Sequence, residues 1–255
     1  MSFELKNLPV RTTKPREAGA TMSMDKGLSV RQAEDFMDVA GNNVDVVKLG
    51  FGTSLATGNL SKKLEVYRSA GMPYYFGGTL MEAYTIRGQF DDYCRLLDHH
   101  KCEYVEVSDG SMDLETDLKC EYISRLAKNF RVLSEVGSKD ANVVIPPYRW
   151  VEMMNRELEA GAWKVIAEAR ESGTVGVFEK SGETNTGLVE EIIHYVPHEK
   201  ILWEAPLKSQ QVWFIKLLGS NVNLGNIAPH EVIPLETLRM GLRGDTFFTF
   251  LDQDK

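Results

Sequence analysis

The sequence predicts an α/β fold, a (β/α)8 TIM barrel in a single domain, on three observations. Eight short apolar runs each end in a cluster of charged, amide and glycine residues. The runs alternate with amphipathic segments of helical period, the pattern of parallel βαβ units. The chain has 255 residues, close to the ~250 typical of one such barrel. A barrel gathers its strand ends at one mouth, so clusters far apart in the chain become one site. An open doubly wound sheet is the competing architecture. It is disfavoured because no GxGxxG turn opens a helix and because polar chemistry follows every strand.

Residues 1–18 read as a polar arm in which Pro9 and Pro15 oppose a helix, and 19–255 as the barrel. Ala20–Met24 is the first strand and ends at Asp25-Lys26-Gly27. Ser29 and Gln32 have capping-box spacing, and Val30, Ala33, Phe36, Met37 and Ala40 form the stripe of the first helix, which stops at Gly41. Val44–Leu49 is the second strand, with a helix near Ser61–Ala70. Tyr74–Phe76 is the third, with a helix near Phe90–His99, and Tyr104–Val107 the fourth, with a helix from Leu114 to Asn129. Val132–Val136 is the fifth, and Pro146 and Pro147 suit the first turn of the helix that runs on to Ala160. Trp163–Ala167, Lys200–Trp203 and Val222–Leu224 are the remaining strands, with helices over Gln210–Leu218 and Pro234–Gly241.

Composition excludes some functions. The formal charge of −8 argues against nonspecific nucleic-acid binding, which needs a basic surface. Small anions remain compatible, because a local cluster of cations outvotes the global sign. Three cysteines without CxxC spacing read as reduced thiols of a cytoplasmic protein. The N-terminus lacks a signal-type apolar core, and no run reaches the ~18 apolar residues of a membrane span. The histidines form no metal-ligand spacing, and Met37, Met153 and Met154 read as helix packing. The apolar stretch Phe247–Leu251 suits either packing on the barrel or an interface in a homo-oligomer, and a homo-oligomer is expected.

Candidate site residues fall into three groups. Lys26, Lys48, Lys139, Arg170 and Lys208 lie at or just past strand ends, where converging cations would bind a multiply charged small anion. Gly77-Gly78-Thr79 and Gly50-Phe51-Gly52-Thr53-Ser54 read as loops whose N–H groups line an anion nest, or as plain tight turns. Asn223, Gly225 and Asn226 belong to the segment after the eighth strand, where barrels often hold a phosphate. Glu106, Glu135, Glu168 and Glu204 end the fourth to seventh strands. Hard oxygen ligands on neighbouring strands suit Mg2+. A salt-bridge ring with Lys26, Lys48, Lys139 and Arg170 is the other use of the same acids.

These residues carry a resemblance. Asp25-Lys26-Gly27-Leu28, Val47–Ser54, Val105–Ser111, Ser134–Gly137, Glu168–Gly173, Trp203–Pro206 with Gln210-Gln211, Val222–Ile227 and Leu235–Thr246 resemble the phosphosulfolactate synthase family, bacterial members in particular. The resemblance runs from about Gly19 to Phe247. It implies a (β/α)8 barrel and a carbon–sulfur lyase that adds sulfite to phosphoenolpyruvate with Mg2+, giving (2R)-2-O-phospho-3-sulfolactate. In methanogens that reaction begins coenzyme M synthesis. On this reading Glu106, Glu135 and Glu168 hold Mg2+, Lys139 delivers the proton, Arg170 and Lys48 orient the anions, and Gly225 and Asn226 cap the phosphate. Archaeal members carry two adjacent lysines after Glu-Val-Gly, whereas this chain has Ser138-Lys139. Two rival functions stay open: a lysine Schiff-base aldolase or lyase using Lys48, and a noncatalytic anion- or partner-binding barrel like a plant heat-stress-associated relative.

Overall fold

In a computed structural model of the chain, residues 4–112, 114–137, 145–169 and 172–251 are described. Eight strands are present: β1 (Thr21–Asp25), β2 (Val46–Leu49), β3 (Tyr74–Phe76), β4 (Tyr104–Val107), β5 (Arg131–Val136), β6 (Lys164–Ala167), β7 (Ile201–Glu204) and β8 (Leu224–Ile227). All pair in parallel, in the order β3-β2-β1-β8-β7-β6-β5-β4, as one sheet curled into a nearly closed barrel. The outer layer holds ten α-helices among the described residues: α1 (Val30–Ala40), α2 (Thr53–Ala56), α3 (Leu60–Ser69), α4 (Gly78–Thr85), α5 (Phe90–His99), α6 (Thr116–Leu126), α7 (Pro147–Glu159), α8 (Thr186–Tyr195), α9 (Lys208–Leu218) and α10 (Val232–Arg239).

Strand periodicity sorts the core into two parts. Outward residues such as Val47, Leu49, Val105, Val107, Val132, Val165 and Trp203 pack under the helices. Trp203 stacks on Phe214 of α9 at 4.8 Å between ring centroids. Inward residues Met22, Val46, Tyr75, Tyr104, Leu133, Ile166 and Leu202 fill the barrel as a separate cluster. Both faces of each strand are therefore buried, as in other all-parallel sheets.

The capping box at α1 forms: Gln32 N–H donates to Ser29 Oγ at 3.2 Å, and Ser29 N–H donates to Gln32 Oε1 at 2.9 Å. Three segments depart from the sequence reading. Gly77-Gly78-Thr79 is not a free loop, because α4 starts at Gly78 and buries Leu80 and Met81. The missing side chain at Gly78 is what allows this, since a Cβ there would stand 2.2 Å from Ser108 Oγ. Helix α8, absent from the sequence reading, is capped by Asn185 Oδ1, which accepts from Leu188 N–H at 3.2 Å, and buries Leu188, Val189 and Ile192. Strand β8 lies two residues later than expected, and its register with β1 shifts between Thr21 and Ser23. Asn226, with φ 58°, takes up the extra residue.

The arm is docked rather than loose. Arg11 pairs with Glu236 at 2.9 Å and donates to Ser220 O at 2.9 Å, while Arg16 pairs with Asp45 at 3.2 Å. The three thiols are free, and burial pushes Cys102 up to about 12. Phe247 and Phe248 point outward, whereas Phe250 packs against the core. Among the described residues no helix is long and apolar enough to cross a membrane.

Candidate active site

Inward residues one layer beyond the apolar cluster are charged. Lys48 follows Val46 on β2, Glu106 follows Tyr104 on β4, Glu135 follows Leu133 on β5, and Glu204 follows Leu202 on β7, each by two positions. Alternation along the strand therefore carries all four to the C-terminal mouth on the inner face. Lys48 Nζ lies 2.9 Å from Glu106 Oε2, 3.3 Å from Glu135 Oε2 and 3.6 Å from Glu204 Oε1. All four residues are buried. Glu168, two positions past Ile166, is buried as well, and its stem packs where a Cβ on Gly137 would come within 2.6 Å of Glu168 Cβ.

Backbone donors fix two of the acids. Gly78 N–H donates to Glu106 Oε1 at 2.6 Å, and Ala169 N–H donates to Glu204 Oε2 at 3.1 Å. Gly77 leaves room for the Lys48 stem, since a Cβ there would stand 3.1 Å from Lys48 Cε. Burial alone would depress the Lys48 ammonium, but Glu106, Glu135 and Glu204 outweigh it and hold its pKa well above the ordinary value. Burial raises Glu106 against the pull of Lys48, and Glu135 adds to the rise. The same effects push Glu204 up to about 7. A lysine so firmly protonated is a poor imine-forming nucleophile, which weighs against the Schiff-base reading.

Other expected residues have separate places. Lys26 is exposed just past β1. Lys208 is exposed on the first turn of α9 and pairs with Asp245 at 2.5 Å. Asn223 lies before β8, at the opposite end of the barrel from the ring. Its Oδ1 accepts from Ala20 N–H at 3.0 Å, and its Nδ2 donates to Glu199 O and Ile201 O at 3.0 and 3.1 Å. The expectation that Asn223 follows the eighth strand is thus corrected by the later start of β8, and its amide instead ties three backbone segments together. Gly225 is within β8, where a Cβ would stand 2.9 Å from Met22 Cε, and Asn226 is buried at the bulge. Lys139 and Arg170 lie outside the described residues.

Lys63 and Lys119 escaped the sequence reading, and Asp25, Glu82 and Gln210 take supporting roles that it did not assign. Lys119 Nζ sits 2.9 Å from Asp109 Oδ1 and from Glu157 Oε1, and donates to Glu135 O at 2.7 Å. Lys63 pairs with Asp25 at 2.8 Å, and Asp25 Oδ1 accepts from Gly27 and Leu28 N–H groups at 2.7 Å. Glu82 receives Ser108 Oγ at 2.5 Å and Ser111 N–H at 2.7 Å. Gln210 Nε2 donates to Gly173 O at 2.8 Å and Gly182 O at 3.2 Å, pinning the segment after β6. A signal for the lysines exists: Lys119 shares a helical stripe with buried Ile123 and Leu126, and Lys63 neighbours buried Leu64 and Tyr67.

The ring offers oxygen donors, the chemistry that Mg2+ takes. Among the described residues, however, no three His, Cys, Asp or Glu side chains converge closely enough to form a ready-made metal cage. The Lys48 ammonium stands where three of the carboxylates meet. The donor set therefore fits Mg2+ held by one or two carboxylates with substrate oxygens, the usual arrangement for this ion.

A nearly closed barrel of parallel strands with buried acids and a lysine at its C-terminal mouth defines a barrel enzyme that works at that face. The family model for (2R)-phospho-3-sulfolactate synthase (ComA) matches residues 9–245, and the chain belongs to this family. A phosphosulfolactate synthase of Bacillus subtilis (strain 168) is 42% identical over 244 residues, covering 94% of this chain and 97% of the relative. The phosphosulfolactate synthase of Methanothermobacter thermautotrophicus is 39% identical over 244 residues, covering 93% and 95%. That of Methanocaldococcus jannaschii is 42% identical over 237 residues, covering 91% and 94%. Among solved structures, 3-hexulose-6-phosphate synthase from Salmonella typhimurium aligns with TM-score 0.60 at 16% identity, covering 88% of this chain and 100% of that one. Phosphoenolpyruvate phosphomutase from Streptomyces platensis aligns with TM-score 0.53 at 10% identity, covering 88% and 79%. At such identities these two speak for the fold alone.

Proposed function

We propose that the protein is a phosphosulfolactate synthase, a carbon–sulfur lyase adding sulfite to phosphoenolpyruvate to give (2R)-2-O-phospho-3-sulfolactate. The observation that carries the reading is the Lys48 ammonium held within 2.9–3.6 Å of three strand-end carboxylates, in a chain that matches its relatives over nearly its whole length. Sulfite attacks the terminal carbon of the enol phosphate through sulfur. The C–S bond forms as the double-bond electrons move towards the substrate carboxylate, and a proton must then reach the middle carbon.

Lys48 supplies a positive charge at the mouth, because Glu106, Glu135 and Glu204 favour its protonated form over the cost of burial. Arg170, with Lys48, orients two anions that repel each other in water. Lys139 is the proposed donor of the proton to the middle carbon. Mg2+, held by one or two of Glu106, Glu135 and Glu168 together with substrate oxygens, would supply positive charge against the substrate carboxylate as charge gathers there. The surrounding backbone donors at Gly78 and Ala169 keep Glu106 and Glu204 oriented before substrate arrives.

The test is an assay of the purified protein with sulfite, phosphoenolpyruvate and Mg2+, following loss of the enol phosphate. Consumption that needs both substrates supports the reading, and none at all rejects it. Lys139→Ala should abolish turnover with the fold intact; undiminished product would remove Lys139 from the chemistry. Glu135→Gln should demand more Mg2+ for half-maximal rate, and an unchanged metal titration would move the metal elsewhere.

A further inference from the structure

The end of the barrel opposite the ring holds a cavity of about 260 Å3. Its floor is the inward apolar layer: Met22, Val46, Leu133 and Leu202. Tyr104 and Trp163 form an aromatic wall, with ring centroids 5.5 Å apart. Four cations also line it: Lys14, Arg16, Arg131 and Lys164. This end of a barrel ordinarily serves stability.

The cations keep donors that no protein acceptor takes among the described residues. Lys164 Nζ spends two protons on Glu17 O and Glu199 O, both at 2.6 Å. Among the described residues Arg131 donates to Tyr104 Oη, at 3.2 Å, and its guanidinium lies over the Trp163 ring at 5.3 Å. Lys14, exposed, donates to Gly41 O at 2.7 Å. An ammonium carries three donors and a guanidinium five. Acids are fewer. Asp45 lines the cavity and pairs with Arg16. Glu17 stands at its edge, 4.0 Å from Arg131 and 3.8 Å from Lys164. Glu103 acts on Tyr104, and Glu199 and Lys200 act on Lys164, so five cations against four carboxylates leave an excess of one positive charge. Burial draws Lys164 down to about 8, with Glu17 opposing it only in part.

From the apolar floor, the aromatic wall and the surplus of cations with open donors, we infer that this cavity binds a small organic phosphate, its dianionic head at the cations and its apolar body on the floor. The volume lies below the ~300 Å3 at which pockets for drug-sized ligands begin, so the ligand is small. The fully polar phosphosulfolactate does not match an apolar floor, which sets this ligand apart from the reaction proposed at the mouth.

Phenyl phosphate is a suitable probe, followed by calorimetry on the full chain, with inorganic phosphate as control. The expected result is saturable binding of one phenyl phosphate per chain at this site, weaker binding of inorganic phosphate, and about tenfold loss for phenyl phosphate in Arg131→Gln or Lys14→Gln. Both substituted side chains are largely exposed, so melting curves should confirm folded variants. Binding should persist in Glu135→Gln at the mouth. No saturable binding, binding indifferent to both cation variants, or binding lost in Glu135→Gln would each overturn the site.

Discussion

Lys48 illustrates how one residue sets the character of the mouth. A buried ammonium is costly alone, and so are three buried carboxylates, but each offsets the other's desolvation. Glu204 carries a measurable consequence. Its folded carboxyl keeps a proton up to about 7, whereas the unfolded group releases it near 4.5. Between those values the folded state binds more protons, so this group's contribution to stability falls as pH rises. Glu106 is raised in the same direction. Glu204→Gln should therefore lose less stability than the parent between pH 5 and pH 8, in urea unfolding at each pH. Equal losses in the two proteins would mean that Glu204 titrates normally.

At the scale of elements, the ring depends on helices behind the strands. Lys119 reaches from α6 to the Glu135 carbonyl of β5, to Glu157 of α7 and to Asp109 beyond β4. Burial raises Asp109 and Glu157, with Lys119 opposing, so both acids rely on that ammonium. Lys119→Met keeps the stem's bulk and removes the charge. It should cost about 3–5 kcal/mol of unfolding free energy, the range for a buried pair broken on one side. A loss under about 1 kcal/mol in chemical denaturation would show that water reaches these acids and satisfies them.

At the scale of the whole molecule, the barrel has a seam. β3 and β4 are the two ends of the hydrogen-bonded order, and they lie side by side without a backbone ladder among the described residues. Side chains bridge this gap: Glu106 Oε1 takes the Gly78 N–H at 2.6 Å, and Ser108 Oγ donates to Glu82 of α4 at 2.5 Å. Gly78→Ala would drive a methyl to 2.2 Å from Ser108 Oγ and 2.9 Å from Glu106 Oε1. The expected cost is about 1–3 kcal/mol, the range for overpacking. Hydrogen exchange in this variant should speed up first around 74–78 and 104–108; protection unchanged there would mean that the seam closes by other contacts.

The sequence by itself determined the strand–helix alternation, the barrel, the family and the acids that share the mouth. All of these follow from periodicity and local chemistry: Glu106, Glu135 and Glu204 each stand two residues past an apolar inward residue, and period two carries them to one face. The two glycines at 77 and 78 misled, because glycine suits a turn as well as a close approach, and only Ser108 across the seam tells which applies. The end of the barrel at which Asn223 sits, the place of Lys48 between three carboxylates, and the struts from Lys119 and Gln210 were decided by tertiary structure alone. Each rests on contacts between residues far apart in the chain: pairing of Leu224 with Thr21 of β1 and with Trp203 of β7 sets where β8 begins, and that start leaves Asn223 ahead of the strand.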